Sequence, residues 1–390
     1  MKKILFILFF IPVCIFAQNL KTHKQVIAGL NNYMEFIHET THTEYLFQSD
    51  IMSFNSSLLS KSKRPSSKIY FDNRERLSNI TYFEQLPEDI FNKCLTTDFP
   101  ITAEEKQKLD DPLISMWNNI QNIQIICDSI ETDINNGVFE DTSSLKIGFR
   151  LLEEAKLEFY NYLLDWNILK NTIEEVASKY EVVDLTNPYI NAAKNLDTLF
   201  DVVYEIAEFA RNNDTVKVRQ LKQILEEQIQ KLDGQENVYL EGAKSYGKNN
   251  GKDPFGRFEN VIDDAKAELS HTKYFLKPTK YPSYAEKLYG KPFTYYNDKF
   301  INKFNRHGIG MAYDYNVYAD NSDNLVLKKA QMPHTLIVIY PETNKKEPEP
   351  DPEKLTLKDA PPNNLIFLLD VSSSMNKPEK MPLLKESIKF

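Results

Sequence analysis

Oxygen donors at alternate positions mark one place where this chain could do chemistry. Asp370, Ser372 and Ser374 occur in the run Asp370-Val371-Ser372-Ser373-Ser374, directly after the unbroken apolar stretch Leu365–Leu369. One carboxylate and two hydroxyls on alternate loop residues can face a single point. Such an all-oxygen set suits a hard divalent cation such as Mg²⁺, which keeps part of its water shell. A second group is His38-Glu39-Thr40-Thr41-His42. Its HExxH spacing sets two imidazoles one helical turn apart, ready for zinc, with a carboxylate placed to activate water. The surroundings favour ordinary helix positions instead. His38 and His42 fall on the solvent side of the apolar seam through Ile37 and Thr40, Thr replaces the apolar pair such helices bury, and nothing selects a third ligand, whether Glu44 or a distant carboxylate. Asp320, Ser322 and Asn324 alternate like the opening of a Ca²⁺ loop but lack its Gly and distal Glu, so a turn is expected. His307-Gly308-Ile309-Gly310 opens no helical pattern and reads as a turn.

The elements around the first group give it a context. Leu365–Leu369 has the length and composition of a strand buried on both faces of a parallel sheet, and Met381, Leu384 and Ile388 follow at helical spacing. Strand, oxygen-rich loop and helix, in that order, present ligands at the carboxyl end of a strand in open α/β sheets. Residues 363–390 resemble the start of a von Willebrand factor A (VWA) domain, whose first strand ends in D-x-S-x-S, the opening part of a metal-ion-dependent adhesion site (MIDAS). Ser373 stands where family members usually carry Gly. The resemblance implies a doubly wound α/β domain, Asp370, Ser372 and Ser374 as metal ligands, Mg²⁺ as the ion, and a protein ligand whose carboxylate completes the coordination. It covers 28 residues. The family's Thr and second Asp ligands lie on later loops, so the expectation is a truncated VWA domain with an incomplete site and at best weak metal binding.

Composition narrows the rest. Over 390 residues, 26% charged side chains and a formal charge of −9 without a basic cluster argue against nucleic acid as a partner. Only 11 Gly accompany 21 Tyr and 24 Phe, a balance that fits helices better than barrels. Met1–Ala17 reads as a secretory signal: Lys2 and Lys3, the apolar Ile4–Ile11, and a cleavage site before Gln18. Cys14 is poorly placed for lipid attachment, with Val13 before it. No transmembrane segment is expected after signal cleavage, because no later stretch approaches the ~18 apolar residues a span needs. Export to the periplasm, cell surface or medium follows. Cys94 and Cys127 remain after cleavage, open to a disulfide or to burial as thiols.

Apolar residues from Gln18 to about Asp233 keep to helical steps. One seam runs Val26, Leu30, Tyr33, Ile37, Thr40, Glu44, Phe47, Ile51, Phe54; a second Leu113, Met116, Ile120, Ile123, Cys127, Ile130, Ile134. A third runs Leu152, Ala155, Phe159, Tyr162, Trp166, Leu169, Ile173, Val176; a fourth Leu196, Leu199, Val203, Ile206, Ala210, continuing through Leu221, Leu225 and Leu232. Steps of three and four put a narrow stripe on each helix, as in near-antiparallel bundles. Breaks fall at Asn135-Asn136-Gly137, Thr186-Asn187-Pro188 and Asp233-Gly234. Residues 60–111 exceed a bare connection and are expected to carry short helices, such as Thr102–Leu109. Strands are predicted over Tyr313–Tyr318, which alternates, and over Thr335–Tyr340, with a turn at Asp320–Asn324 between them.

The expected architecture is mainly α: signal peptide 1–17, long-helix bundle 18–240, small α+β module 241–342, Pro- and charge-rich linker 343–362, and the first βα unit of a VWA domain at 363–390. The expected function is non-enzymatic protein binding through Mg²⁺. A helical-bundle sensor or scaffold is the alternative, and an HExxH zinc metalloprotease a minor one.

Overall fold

A computed structural model describes residues 2–69, 71, 86–181, 188–234, 254–306 and 310–341, with side chains from residue 19 onward. Each predicted seam becomes the buried stripe of a long helix. The helix α1 (Lys2–Lys63) buries all nine positions of the first seam, including Thr40 and Glu44. After α2 (Glu88–Thr96) comes α3 (Ala103–Asn135), which opens on a capping box: Thr102 accepts from the Glu105 amide while the Glu105 carboxylate takes the Thr102 amide. Helix α4 (Leu145–Tyr180) buries the whole third seam. Thr102–Leu109, expected as a short helix, is instead the capped opening of α3, which runs on through Leu113. Pro112 sits inside α3 on its buried face, so the apolar packing it joins outweighs the hydrogen bond its ring removes.

The remaining helices are α5 (Pro188–Arg211), α6 (Thr215–Leu232) and α7 (Pro254–Phe275), then the short α8 (Tyr284–Tyr289) and α9 (Lys291–Tyr295), a π turn at Tyr296–Ile301, α10 (Asn302–Asn305) and α11 (Met311–Asp320). Left-handed glycines close two of the predicted breaks, Gly137 at φ +72° and Gly234 at φ +75°. Two cores result. The first gathers the buried faces of α1, α3 and α4 around Tyr33, Phe54, Tyr162 and Trp166. The second gathers α5, α6, α7 and residues 296–319 around Phe200, Phe258, Phe300 and Tyr315. Both belong to one compact unit that ends at Pro341. Among the described residues no helix is long and apolar enough to cross a membrane.

Among the described residues there is also no strand, and the α+β module loses its β part. Tyr313–Tyr318 lies in α11, where the buried positions are Met311, Ala312, Tyr315, Tyr318 and Ala319, stepping by three and four. The apparent alternation came from Asp314, a charged residue that is nonetheless buried and paired with Arg257. Asp320–Asn324 is a turn, but it caps a helix: the Ser322 hydroxyl donates to the Ala319 carbonyl and accepts from the amides of Leu325 and Val326. Thr335–Tyr340, predicted as a strand, has no regular secondary structure and packs Leu336 and Val338 against the first core. The linker 343–362 and the VWA-like stretch 363–390, with Leu365–Leu369, lie outside the described residues.

Candidate functional site

The irregular segment 325–340, here the strap, raises a physical question: a chain with neither helix nor ladder must satisfy its amides and carbonyls another way. Four asparagines on the helical body do so. Each presents its side-chain amide to both backbone groups of one strap residue, imitating a rung of paired strands. Asn316 holds Lys329 (carbonyl at 3.0 Å, amide at 2.7 Å), and Asn305 holds Met332 (2.7 and 2.9 Å). Asn297 holds Thr335 (3.4 and 2.9 Å), and Asn55 holds Ile339 (2.9 and 2.9 Å). Asn31 adds a staggered clamp, donating to the Val326 carbonyl and accepting from the Lys328 amide at 2.9 Å. Hydroxyls and another amide take further carbonyls: Tyr204 that of Ala330, Tyr296 that of Pro333, and Gln48 that of Thr335.

A buried ionisable pair fixes the middle of the strap. The Glu44 carboxylate, fully buried on α1, accepts from the His334 amide at 3.1 Å and lies 3.2 Å from its Nδ1. Tyr45 packs its ring against the imidazole. Thr40 and Thr41, one turn before Glu44, meet the Tyr162 hydroxyl on α4. Burial, with the Glu44 charge nearby, holds that phenol well above its usual range.

Where the strap starts, a cleft of about 270 Å³ opens between α4, α5, α11 and residues 325–329. Its walls carry Glu174, Glu181, Asp197 and Asp201 against Lys194 and Lys329. Lys194 pairs with Glu181 at 3.3 Å and Lys329 with Asp197 at 2.8 Å. Desolvation pushes the Asp201 carboxyl up, against the pull of Lys329. His23 bridges the floor, its two ring nitrogens 3.1 Å from the Tyr180 carbonyl and 3.0 Å from that of Leu325. Carboxylates in excess beside an apolar floor suit a small cationic or zwitterionic group.

The HExxH residues sit one turn before Glu44. His38 and Glu39 are partly exposed, with His38 Nε2 3.9 Å from the Glu39 carboxylate, and burial raises the Glu39 carboxyl. His42 is more sheltered than its solvent-side placement on the seam suggested, and Thr40 and Thr41 are buried. Another ionisable group lies on α7. There Glu268 is wholly buried, its carboxyl raised by desolvation to about 7 against the opposing effect of His271 at 3.4 Å. Asp264 rises to about 6 by burial despite its ion pair with Lys303. Among the described residues no three His, Cys, Asp or Glu side chains gather to hold a metal ion. Cys94 and Cys127 are both buried thiols, and burial lifts that of Cys94 to about 12. Asp370, Ser372 and Ser374 lie outside the described residues, as does His307-Gly308-Ile309. As a donor set those three are all oxygen, which fits Mg²⁺ rather than zinc.

No family model, curated protein or solved structure matches the chain. The strap and its clamps were missed from sequence. Asn31, Asn55, Asn297, Asn305 and Asn316 share no spacing, and only the apolar run Thr335–Tyr340 hinted at an extended segment.

Proposed function

We propose that the chain is an exported, non-enzymatic protein whose helical body carries a Mg²⁺-dependent protein-binding element of the VWA type beyond its strap. The observation behind this reading is the order of residues at 365–374: an apolar strand-like run, then Asp370, Ser372 and Ser374. Those three would hold the ion, which when bound offers an open position to a carboxylate of the protein partner. The body supports the reading as a mount. Its last clamp, Asn55 on Ile339, stands two residues before Pro341, so the chain leaves the helices from a fixed point. The test is a calorimetric titration of the full chain with Mg²⁺ alone. Weak saturable uptake, lost in Asp370→Ala and in Ser372→Ala, is the expected result; uptake unchanged in both variants refutes the assignment. Export is checked separately by N-terminal sequencing after secretion, with Gln18 as the expected first residue.

The cleft favours a second reading, a helical sensor. A ligand seated between Asp197, Lys329 and His23 would touch α5, the strap and α1 together. Ligand-induced melting shifts of the body that persist in Asp370→Ala distinguish this role from metal-dependent binding.

A further inference from the structure

Helix α4 carries two apolar stripes and uses only one. The third seam faces the core, while Leu157, Tyr160, Leu164 and Ile168 form a second stripe on the opposite side, 57, 53, 44 and 52% exposed. Their steps of three and four keep them on one face. The neighbouring α3 adds Ile114 and Ile125, also exposed. These two helices are tied by Ser115 and Asn119, which both donate to the Asp165 carboxylate, and by Asn122, which donates to Glu158. The stripe ends in opposite charges, each exposed and each with a partner on its own helix. Arg150, two turns before Leu157, lies 3.5 Å from Glu154, and Glu175, two turns after Ile168, lies 2.9 Å from Lys179, so contact with the other copy adds to these pairs.

We infer that this face docks a second copy of the chain, with the two α4 helices antiparallel about a two-fold axis near residues 162–163. That register is set by charge complementarity. It lays Arg150 of one copy against the same carboxylate position, Glu175, of the other, twice by symmetry. It also stacks Leu157 on Ile168, and Leu164 between Tyr160 and Asn161. Lys179 falls one turn outside, where Glu105 and Glu175 of its own chain already neutralise it. Arg150 to Glu175 spans ~37 Å at the helical rise of about 1.5 Å per residue. A band about 10 Å wide, roughly doubled by the flank of α3, covers on the order of 700 Å² per copy, close to the roughly 800 Å² each partner gives to a stable interface. Exposed apolar positions at this density, on a helix already amphipathic toward its own core, are a contact surface and not scattered surface residues.

The test is a concentration series of the full chain by analytical ultracentrifugation, with three variants. The parent is expected to be dimeric at about 100 µM, a regime in which an interface of this size holds. Leu164→Glu is expected to be monomeric with an unchanged far-ultraviolet dichroism spectrum, since its side chain leaves the core untouched. Arg150→Glu is expected to weaken association about tenfold, because symmetry loses both pairs at once, and Arg150→Glu with Glu175→Arg is expected to restore it. A parent that stays monomeric overturns the proposal, whether its stripe is bare or is cross-linked to residues 342–390 of the same chain. So does a dimer indifferent to Leu164→Glu. A dimer broken by Leu164→Glu but not rescued by the double charge exchange overturns the antiparallel register.

Discussion

Burial of the Glu268 side chain makes folding sensitive to pH in a direction opposite to that of an ordinary salt-bridged carboxylate. Its carboxyl ionises near 4.5 in the unfolded chain and near 7 in the folded one. Below pH 4.5 both states hold the proton and the group contributes no difference. Between pH 4.5 and 7 the unfolded chain ionises first, so stability falls as pH rises, by about 3 kcal/mol once the folded pKa is passed. Glu268→Gln removes that slope. Urea titrations should show the variant matching the parent at pH 4 and exceeding it by about 3 kcal/mol at pH 8; parallel curves across this range would place the pH dependence elsewhere. Glu44 matters through its hydrogen bonds, because its carboxylate is held against the His334 amide and ring. Glu44→Ala strands those donors in a dry site, and a loss of about 3–5 kcal/mol is expected in the same titration.

The strap shows how an irregular segment is held without a helix or a sheet. A clamp supplies two hydrogen bonds to one residue. Removing Asn305 leaves the Met332 amide and carbonyl unsatisfied, while removing Asn297 leaves the Thr335 amide so, its carbonyl keeping Gln48, at a cost of about 1–3 kcal/mol. Asn55→Ala, Asn297→Ala and Asn305→Ala are each expected to speed amide exchange most at the clamped residue: Ile339, Thr335 and Met332 respectively. A uniform loss of protection along 325–340 would mean that the strap is held by apolar packing and not by its clamps. This arrangement also explains what sequence could and could not reveal. Helical seams were legible because each buried stripe repeats within a single element: Leu152 to Val176 is readable with no knowledge of what it touches. Thr335–Tyr340 read as a strand from its apolar run, yet it has no regular secondary structure, because its backbone groups pair with side chains and not with a neighbouring strand. Its partners were not legible, since a helix asparagine looks the same in sequence whether it faces water or a backbone some 280 residues away, as Asn55 does. Tyr313–Tyr318 misled for a related reason: Asp314 counted as solvent-facing until Arg257, on α7, was seen to pair with it.

Two cores in one compact unit need a reason to unfold together, and the strap supplies it. Ala330 and Val338 belong to the first core, whereas Leu325, Val326 and Met332 belong to the second. Asn31 and Asn55 clamp it from α1, and Asn297, Asn305 and Asn316 clamp it from the second group of elements. Tyr204 packs against both cores and donates to the Ala330 carbonyl. The chain has 2 tryptophans, and both Trp117 and Trp166 lie in the first core. Tryptophan fluorescence therefore reports the first core, whereas far-ultraviolet dichroism reports the helices of both. In the parent the two signals should trace one urea transition, as coupled units do. Asn31→Ala with Asn55→Ala removes two of the α1 holds on the strap, leaving those of His23, Glu44 and Gln48 and both apolar cores in place, and lowers the coupling by about 2–5 kcal/mol. The fluorescence transition is then expected to move to lower urea while part of the dichroism transition stays in place. Coincident curves in that double variant would assign the coupling to the remaining α1 holds of Glu44 and Gln48 and to the direct packing of Tyr204, and not to the asparagine clamps.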